Sequence, residues 1–401
     1  MDNKYELRLF DESLLLFEMT SGAFEALDVS HISVVPKKAE LLPMDLLPAE
    51  QINPDTLGDW LRRRVIPKNR AFVEEILQSL GLSADNPKGI IDVCKGLSLN
   101  DSYWVVPQGF DGTFADCNLY ENRFSEMLSL VAYTGAPHGD VVFTTSPELT
   151  TDGMLPKAWR FIDRDGIYLY KGGTSGASNT GKEPYSEYYA CQIAEHMGIH
   201  AVHYDLENWK EILASKCKLF TDIDTAYVPI YRIVKNSSLA AVVRYYDRQG
   251  QTFADSIRDM LVFDALIYNE DRHFNNFGVL RDNHSGKVIA PAPVFDNGNA
   301  LFNFASKDSY ADLDKYALTR SPHPACGAKF ESICASAMTP RQAAMLRKML
   351  GFTFARHPKI NLPEDNLSAI ERHMQKRASQ LLSLGSIQSV VPDDTLRSDP
   401  V

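Results

Sequence analysis

From Phe253 to Tyr268 (FADSIRDMLVFDALIY) apolar side chains recur at Ile257, Met260, Leu261 and Phe263, then at Leu266 and Ile267, the period of a helix with one buried face. Asn269 and Glu270 break that period, so Asp271 falls on a loop at the helix end. Phe277 to Leu280 then reads as a short strand, NHSG (Asn283 to Gly286) as a turn, and Lys287 to Phe295 as the returning strand. A hairpin of that kind carries Asp296 back beside Asn276.

The same patterning organises the rest of the chain. Residues 5 to 35 alternate as short strands around Asp11 and Glu12, which predicts a β-hairpin. Residues 54 to 82 have leucines and aromatics at helical spacing, with Asp55 as a cap and Pro67 dividing two helices. The aromatic-rich stretch from Leu97 to Ser129 reads as core. After TTDGMLPKAWRF (Thr150 to Phe161), the turn residues Asp163, Asp165 and Gly166 precede a second strand, IYLYK, ending at Lys171. A helix follows from Pro184 to Met197, placing Glu187, Ala190, Cys191 and Ala194 on one face. Ser215 to Asp224 reads as a strand leading into a connection. From Phe304 to Gly385 the pattern is a helical bundle, with Pro340 to Leu350 and Glu364 to Leu384 its clearest members.

Composition narrows the class. A chain of 401 residues with 44% hydrophobic content can bury more than one core. The net charge of −11, with acids outnumbering bases in the first 50 residues, argues against a general nucleic-acid-binding surface or a basic N-terminal arm. The six cysteines show no C-x-x-C spacing, the usage of a reduced, intracellular protein without a zinc site. No apolar run reaches the roughly 20 residues a membrane helix needs, and MDNKYELRLFDE does not resemble a secretory signal. The expectation is a cytoplasmic protein with no membrane partner.

The candidate chemistry lies in NEDRHFNNFG (Asn269 to Gly278), where Asp271 is followed five positions on by Asn276 and 25 positions on by Asp296. An acid, an amide and a second acid brought together by a hairpin suit the holding of Mg²⁺ by hard oxygen ligands and the orienting of an attacking hydroxyl. The competing account makes Asp271, Arg272 and His273 a surface turn with a local ion pair. A second motif, GASNTGKE (Gly176 to Glu183), fits G-x-x-x-x-G-K, but Glu183 stands where a P-loop needs Ser or Thr, and Pro184 removes a donor. A Gly/Ser/Thr loop between strand and helix accounts for it better.

DRHFNN with the later acid in APVFDNG resembles the HipA-like serine/threonine kinases of bacterial toxin–antitoxin systems and, more distantly, the phosphatidylinositol kinases. The resemblance implies an α+β, two-lobed protein-kinase-like fold, with a β-rich upper lobe (146–222), a mostly helical lower lobe (223–388) and an extra N-terminal α/β subdomain (1–145); the tail (389–401), with adjacent acids, two prolines and little to bury, reads as disordered. ATP would bind between the lobes. Asp271 would be the catalytic base, and Asn276 and Asp296 the Mg²⁺ ligands. Thr151, Asp152, Gly153 and Lys157 would form the phosphate-binding loop. Lys171 would pair the nucleotide's α/β-phosphates, with Glu187 either reaching Lys171 or complementing its own helix dipole. Lys218 and Phe220 are the candidates for holding adenine. Thr150 occupies the place of the serine that HipA-like kinases autophosphorylate. The implied partners are a protein substrate and a separate DNA-binding antitoxin. The same layout would serve a small-molecule or lipid kinase, and a non-catalytic nucleotide-binding module would need a missing catalytic group, of which there is none among Lys171, Asp271, Asn276 and Asp296.

Overall fold

The computed structural model describes residues 3–22, 27–136, 145–174, 181–235 and 238–388. The expected tail, 389–401, and residues 176–180 of the Gly/Ser/Thr loop lie outside the described residues. Contacts divide the chain into two compact units: Met1–Thr174 with Glu207–Lys235 and Gly278–Ala292, and Ser175–Leu206 with Asn236–Phe277 and Pro293–Val401.

The first unit is built on antiparallel strands. The alternating N-terminal residues pair as β1 (Lys4–Leu9) and β2 (Glu12–Ser21), which with β3 (Leu27–Val34) and β4 (Tyr103–Pro107) give a sheet of order β3-β2-β1-β4. Leu7, Leu15, Phe17 and Met19 of this sheet pack on Leu57, Trp60 and Leu61 of α1 (Pro54–Arg62). That helix is capped by Asn53 and not by Asp55: Asn53 Oδ1 accepts from the Thr56 N–H at 3.0 Å, Thr56 Oγ1 accepts from the Asn53 N–H at 3.0 Å, and Pro54 opens the first turn. The helices α2 (Val73–Gln78), α3 (Pro87–Cys94), α4 (Phe114–Cys117) and α5 (Glu126–Thr134) follow. Ile76, Leu77, Leu128, Val131 and Leu149 share one core cluster, and Trp104, Phe114 and Phe124 lie in another.

A second sheet takes β5 (Lys157–Ile162), β6 (Gly166–Gly172), β7 (Tyr204–Trp209) and β8 (Ile212–Lys218) in the order β5-β6-β8-β7. A third joins β9 (Thr225–Pro229), β10 (Gly278–Asp282) and β11 (Val288–Pro291) in the order β11-β10-β9. The strand expected to run to Phe295 stops at Pro291. Pro291 and Pro293 have no N–H to give a ladder, so the pairing ends there and the chain is free to turn toward Asp296. Gly278 can start β10 only because it lacks a Cβ, which would stand 2.1 Å from the Val228 carbonyl oxygen.

The second unit is helical among its described residues: α6 (Glu183–Met197), α7 (Leu239–Gln249), α8 (Gln251–Ile267), α9 (Leu313–Ala317), α10 (Phe330–Ala337), α11 (Pro340–Lys348) and α12 (Glu364–Gln388). Ile257, Met260, Leu261, Phe263, Leu266 and Ile267 are all buried, as their spacing predicts, and α8 packs on α7, α10 and α12. The segment after Phe304 belongs to this unit. It contains a 3₁₀ turn (Asp308–Asp312) and α9, and buries Tyr310, Leu313 and Cys326. The protein is a mixed α+β structure.

Candidate active site

Tyr268 ends α8 in the left-handed conformation (φ 55°), and its N–H and that of Asn269 both turn back to the Asp264 carbonyl. The chain therefore leaves the helix sharply. Asn269, fully buried, accepts the Asp271 N–H on Oδ1 at 3.2 Å, and Asn276 Nδ2 donates to the Asp271 carbonyl at 3.2 Å. These bonds close a compact loop on which Asp271 is exposed and Asn276 buried. Because the amide nitrogen of Asn276 faces into the loop, its oxygen is the end turned the other way, as a hard cation requires.

Arg272 holds this loop in place, and no sequence pattern marked it. Its side chain is 0% exposed and forks onto Asp264 of α8, with Nε to Oδ2 at 2.9 Å and Nη2 to Oδ1 at 3.0 Å. The same guanidinium donates to the Asn276 carbonyl (2.9 Å), the Phe295 carbonyl (2.6 Å) and Asn297 Oδ1 (2.7 Å). One side chain thus fixes the backbone at both Asn276 and the residue before Asp296. Burial works against its charge, yet Asp264 keeps it firmly protonated. The surface-turn account of Asp271, Arg272 and His273 fails here.

Asp296 sits at φ 58°, a left-handed conformation that Asp tolerates better than most residues and that concentrates at functional sites. Its N–H donates to Tyr204 Oη at 3.3 Å. On the next residue, the Asn297 N–H donates to Glu187 Oε2 at 2.8 Å. Glu187 is 0% exposed in α6, and Ser186 beside it donates to the carbonyls of Asn297 and Ala300. Glu187 therefore acts on the Asp296 turn, a role neither sequence alternative contained. Glu270 is the other anchor: it pairs with Arg320 at 2.7 Å and accepts the Ser321 N–H, while its carbonyl accepts from Ala325. The segment after α9 is thereby tied to the residue preceding Asp271.

In the first unit, Gly153 has φ 95°, and a Cβ there would meet Lys157 Nζ at 2.1 Å. Lys157 Nζ donates to the Asp152 carbonyl at 2.7 Å, and Asp152 Oδ1 accepts the Gly153 N–H at 2.6 Å. Thr151 Oγ1 donates to the Pro147 carbonyl at 2.7 Å and Thr150 Oγ1 to the Leu97 carbonyl at 2.8 Å. Lys157 and Lys171 are direct cross-strand partners on β5 and β6. Both side chains leave one face of the sheet, a like-charge pairing that costs stability unless an anion or carbonyl compensates it. Lys218 closes β8 opposite Tyr168, and Phe220 packs edge-on against Tyr227 at 5.6 Å.

Two other polar clusters belong to the fold. Lys182, from the G-x-x-x-x-G-K string, donates to the Ala305 carbonyl and lies over the Tyr310 ring, so it is spent inside the helical unit. Cys191, Glu195 and His203 have donor atoms within 4.8 Å of one another. Burial pushes the Cys191 thiol up to about 12, it donates to the Tyr188 carbonyl, and Glu195 pairs with His203 at 2.6 Å; the trio ties α6 to the following strand. No helix among the described residues is long and apolar enough to cross a membrane.

Over 97% of its length the chain matches HipA from the toxin–antitoxin system of Shewanella oneidensis MR-1, solved with HipB and operator DNA, with a TM-score of 0.59, 14% identity and all of that chain covered. The chain has the HipA-like kinase fold. The serine/threonine-protein kinase CtkA of Helicobacter pylori is 30% identical to it over 132 residues, 29% of this chain and 40% of the kinase. The crystal structure of the H. pylori proinflammatory kinase CtkA matches 58% of this chain and 94% of its own, at 20% identity and a TM-score of 0.45. No protein-family model matches the chain.

Proposed function

We propose that this HipA-like chain is a kinase that uses ATP and Mg²⁺ to phosphorylate a Ser or Thr hydroxyl of a protein. The observation that carries this reading is the Arg272-centred loop, which holds Asn276 and the turn at Asp296 by backbone bonds while leaving Asp271 exposed. Asp271 is the base that accepts the proton of the acceptor hydroxyl as it attacks the γ-phosphorus. Asn276 and Asp296 would hold Mg²⁺, which when bound neutralises charge developing on the phosphates. Lys171, with the Thr151–Lys157 loop, takes the phosphates, and Lys218 and Phe220 take the adenine. Positioning does most of the work, because little covalent chemistry is asked of the protein.

Asp296→Ala is expected to abolish the Mg²⁺-dependent part of phosphoryl transfer while leaving the far-UV circular dichroism unchanged. Full activity with an unaltered Mg²⁺ titration would remove Asp296 from the site.

A regulatory reading follows for Thr150, and a separate DNA-binding partner is proposed by extension from the HipA–HipB assembly. The Thr150 hydroxyl is hydrogen-bonded to the Leu97 carbonyl, so phosphorylation requires that bond to open and the loop to leave its place. Threonine is also stiffer at χ1 than serine. Incubation with ATP is expected to add one phosphate by intact mass in the wild type and none in Thr150→Ala. An equal gain in both would exclude Thr150.

A further inference from the structure

The region ahead of the kinase elements contributes a side chain to the proposed phosphate loop. Arg70 lies between α1 and α2, its side chain 0% exposed, and forms an ion pair with the equally buried Glu148. Its Nη1 donates to the Thr151 carbonyl at 3.0 Å, and its Nη2 to the Lys157 carbonyl at 2.9 Å. Those two carbonyls are the two ends of the loop. A single rigid guanidinium therefore sets the width of the loop's mouth, with a planar fork that lysine cannot reproduce.

Glu148 completes the device. Its other oxygen accepts the Trp159 N–H on β5 at 2.7 Å, and the Trp159 indole Nε1–H donates to Thr151 Oγ1 at 2.9 Å. Burial lifts the Glu148 carboxyl above the ordinary range, and Arg70 opposes that lift. The bonds from Arg70 to Thr151 and Lys157 span 81 and 87 residues of sequence, and they end on carbonyls of the loop backbone. A buried charge needs one good partner. Reaching two further carbonyls, at the two ends of one loop, is more than neutralisation requires.

We propose that Arg70, paired with Glu148, is a positioning residue that holds the 151–157 loop in its phosphate-accepting shape, and that this is a task of the N-terminal region in phosphoryl transfer. The proposal rests on reading 151–157 as the phosphate loop. It predicts a selective effect on nucleotide. Arg70→Lys keeps a cation for Glu148 and gives up the bridge between the two carbonyls.

The test combines amide hydrogen exchange with steady-state kinetics on the full-length protein. In Arg70→Lys, exchange at 152–155 is expected to rise at least tenfold while exchange in α8 stays unchanged. The KM for ATP is expected to rise about tenfold, with kcat and the KM for the acceptor within threefold of wild type. Trp159→Phe, which removes the bond to Thr151 alone, is expected to give a smaller change of the same kind and serves if Arg70→Lys does not fold. Unchanged exchange at 152–155 in both variants would overturn the clamp, and so would an equal rise in both KM values. Faster exchange with unaltered ATP binding would leave the clamp standing and overturn the phosphate-loop reading instead.

Discussion

Replacing Asp271 with Asn is expected to lower turnover by about 10²–10⁴, the usual weight of a positioned general base. The loop itself should survive the change. Asp271 is held through its backbone, with its N–H on Asn269 and its carbonyl on Asn276, and neither bond involves the carboxylate. The variant should therefore bind ATP with wild-type affinity, which isothermal titration measures, and lose kcat and kcat/KM together. A large rise in KM with kcat intact would mean that Asp271 binds substrate and does not take its proton.

The second large effect concerns Arg272. Replacing it with Met leaves the Asp264 carboxylate buried without its partner and frees the Asn276 and Phe295 carbonyls, and should destabilise the helical unit by about 3–5 kcal/mol. Urea unfolding followed by circular dichroism would register this as a lowered midpoint. The double variant Arg272→Met with Asp264→Leu separates the two causes. It removes the orphaned charge, so part of the stability should return. The loop carbonyls remain untied, so activity should not. Recovery of both would reduce Arg272 to a structural ion pair, and a midpoint unchanged in the single variant would contradict the account of the loop.

The sequence made the helix-and-loop half of the site legible because its signals are local. Apolar period, the break at Asn269 and the NHSG turn each act over a few residues, and α8, β10 and the turn lie where they predict. What holds the loop was not legible. Arg272 reads as solvent-facing in a string such as DRH, and only tertiary structure buries it. One clue was present: Asp264 interrupts the otherwise apolar MLVFDALI, and an acid on a buried helix face needs a partner. Arg70 and Glu148 gave no such clue, since each sits in a polar stretch and they meet across 78 residues. Glu187 was visible as a face residue of α6, but its bond to the Asn297 N–H depends on a turn 110 residues away.

The measurement that bears most directly on the central claim is transfer of label from γ-labelled ATP with Mg²⁺, offered protein and small-molecule acceptors side by side, by wild type and Asp271→Asn. Label on serine or threonine of a protein, present with wild type and lost in the variant, is the predicted result. Equal labelling by both proteins, or transfer by wild type to small molecules alone, would contradict it.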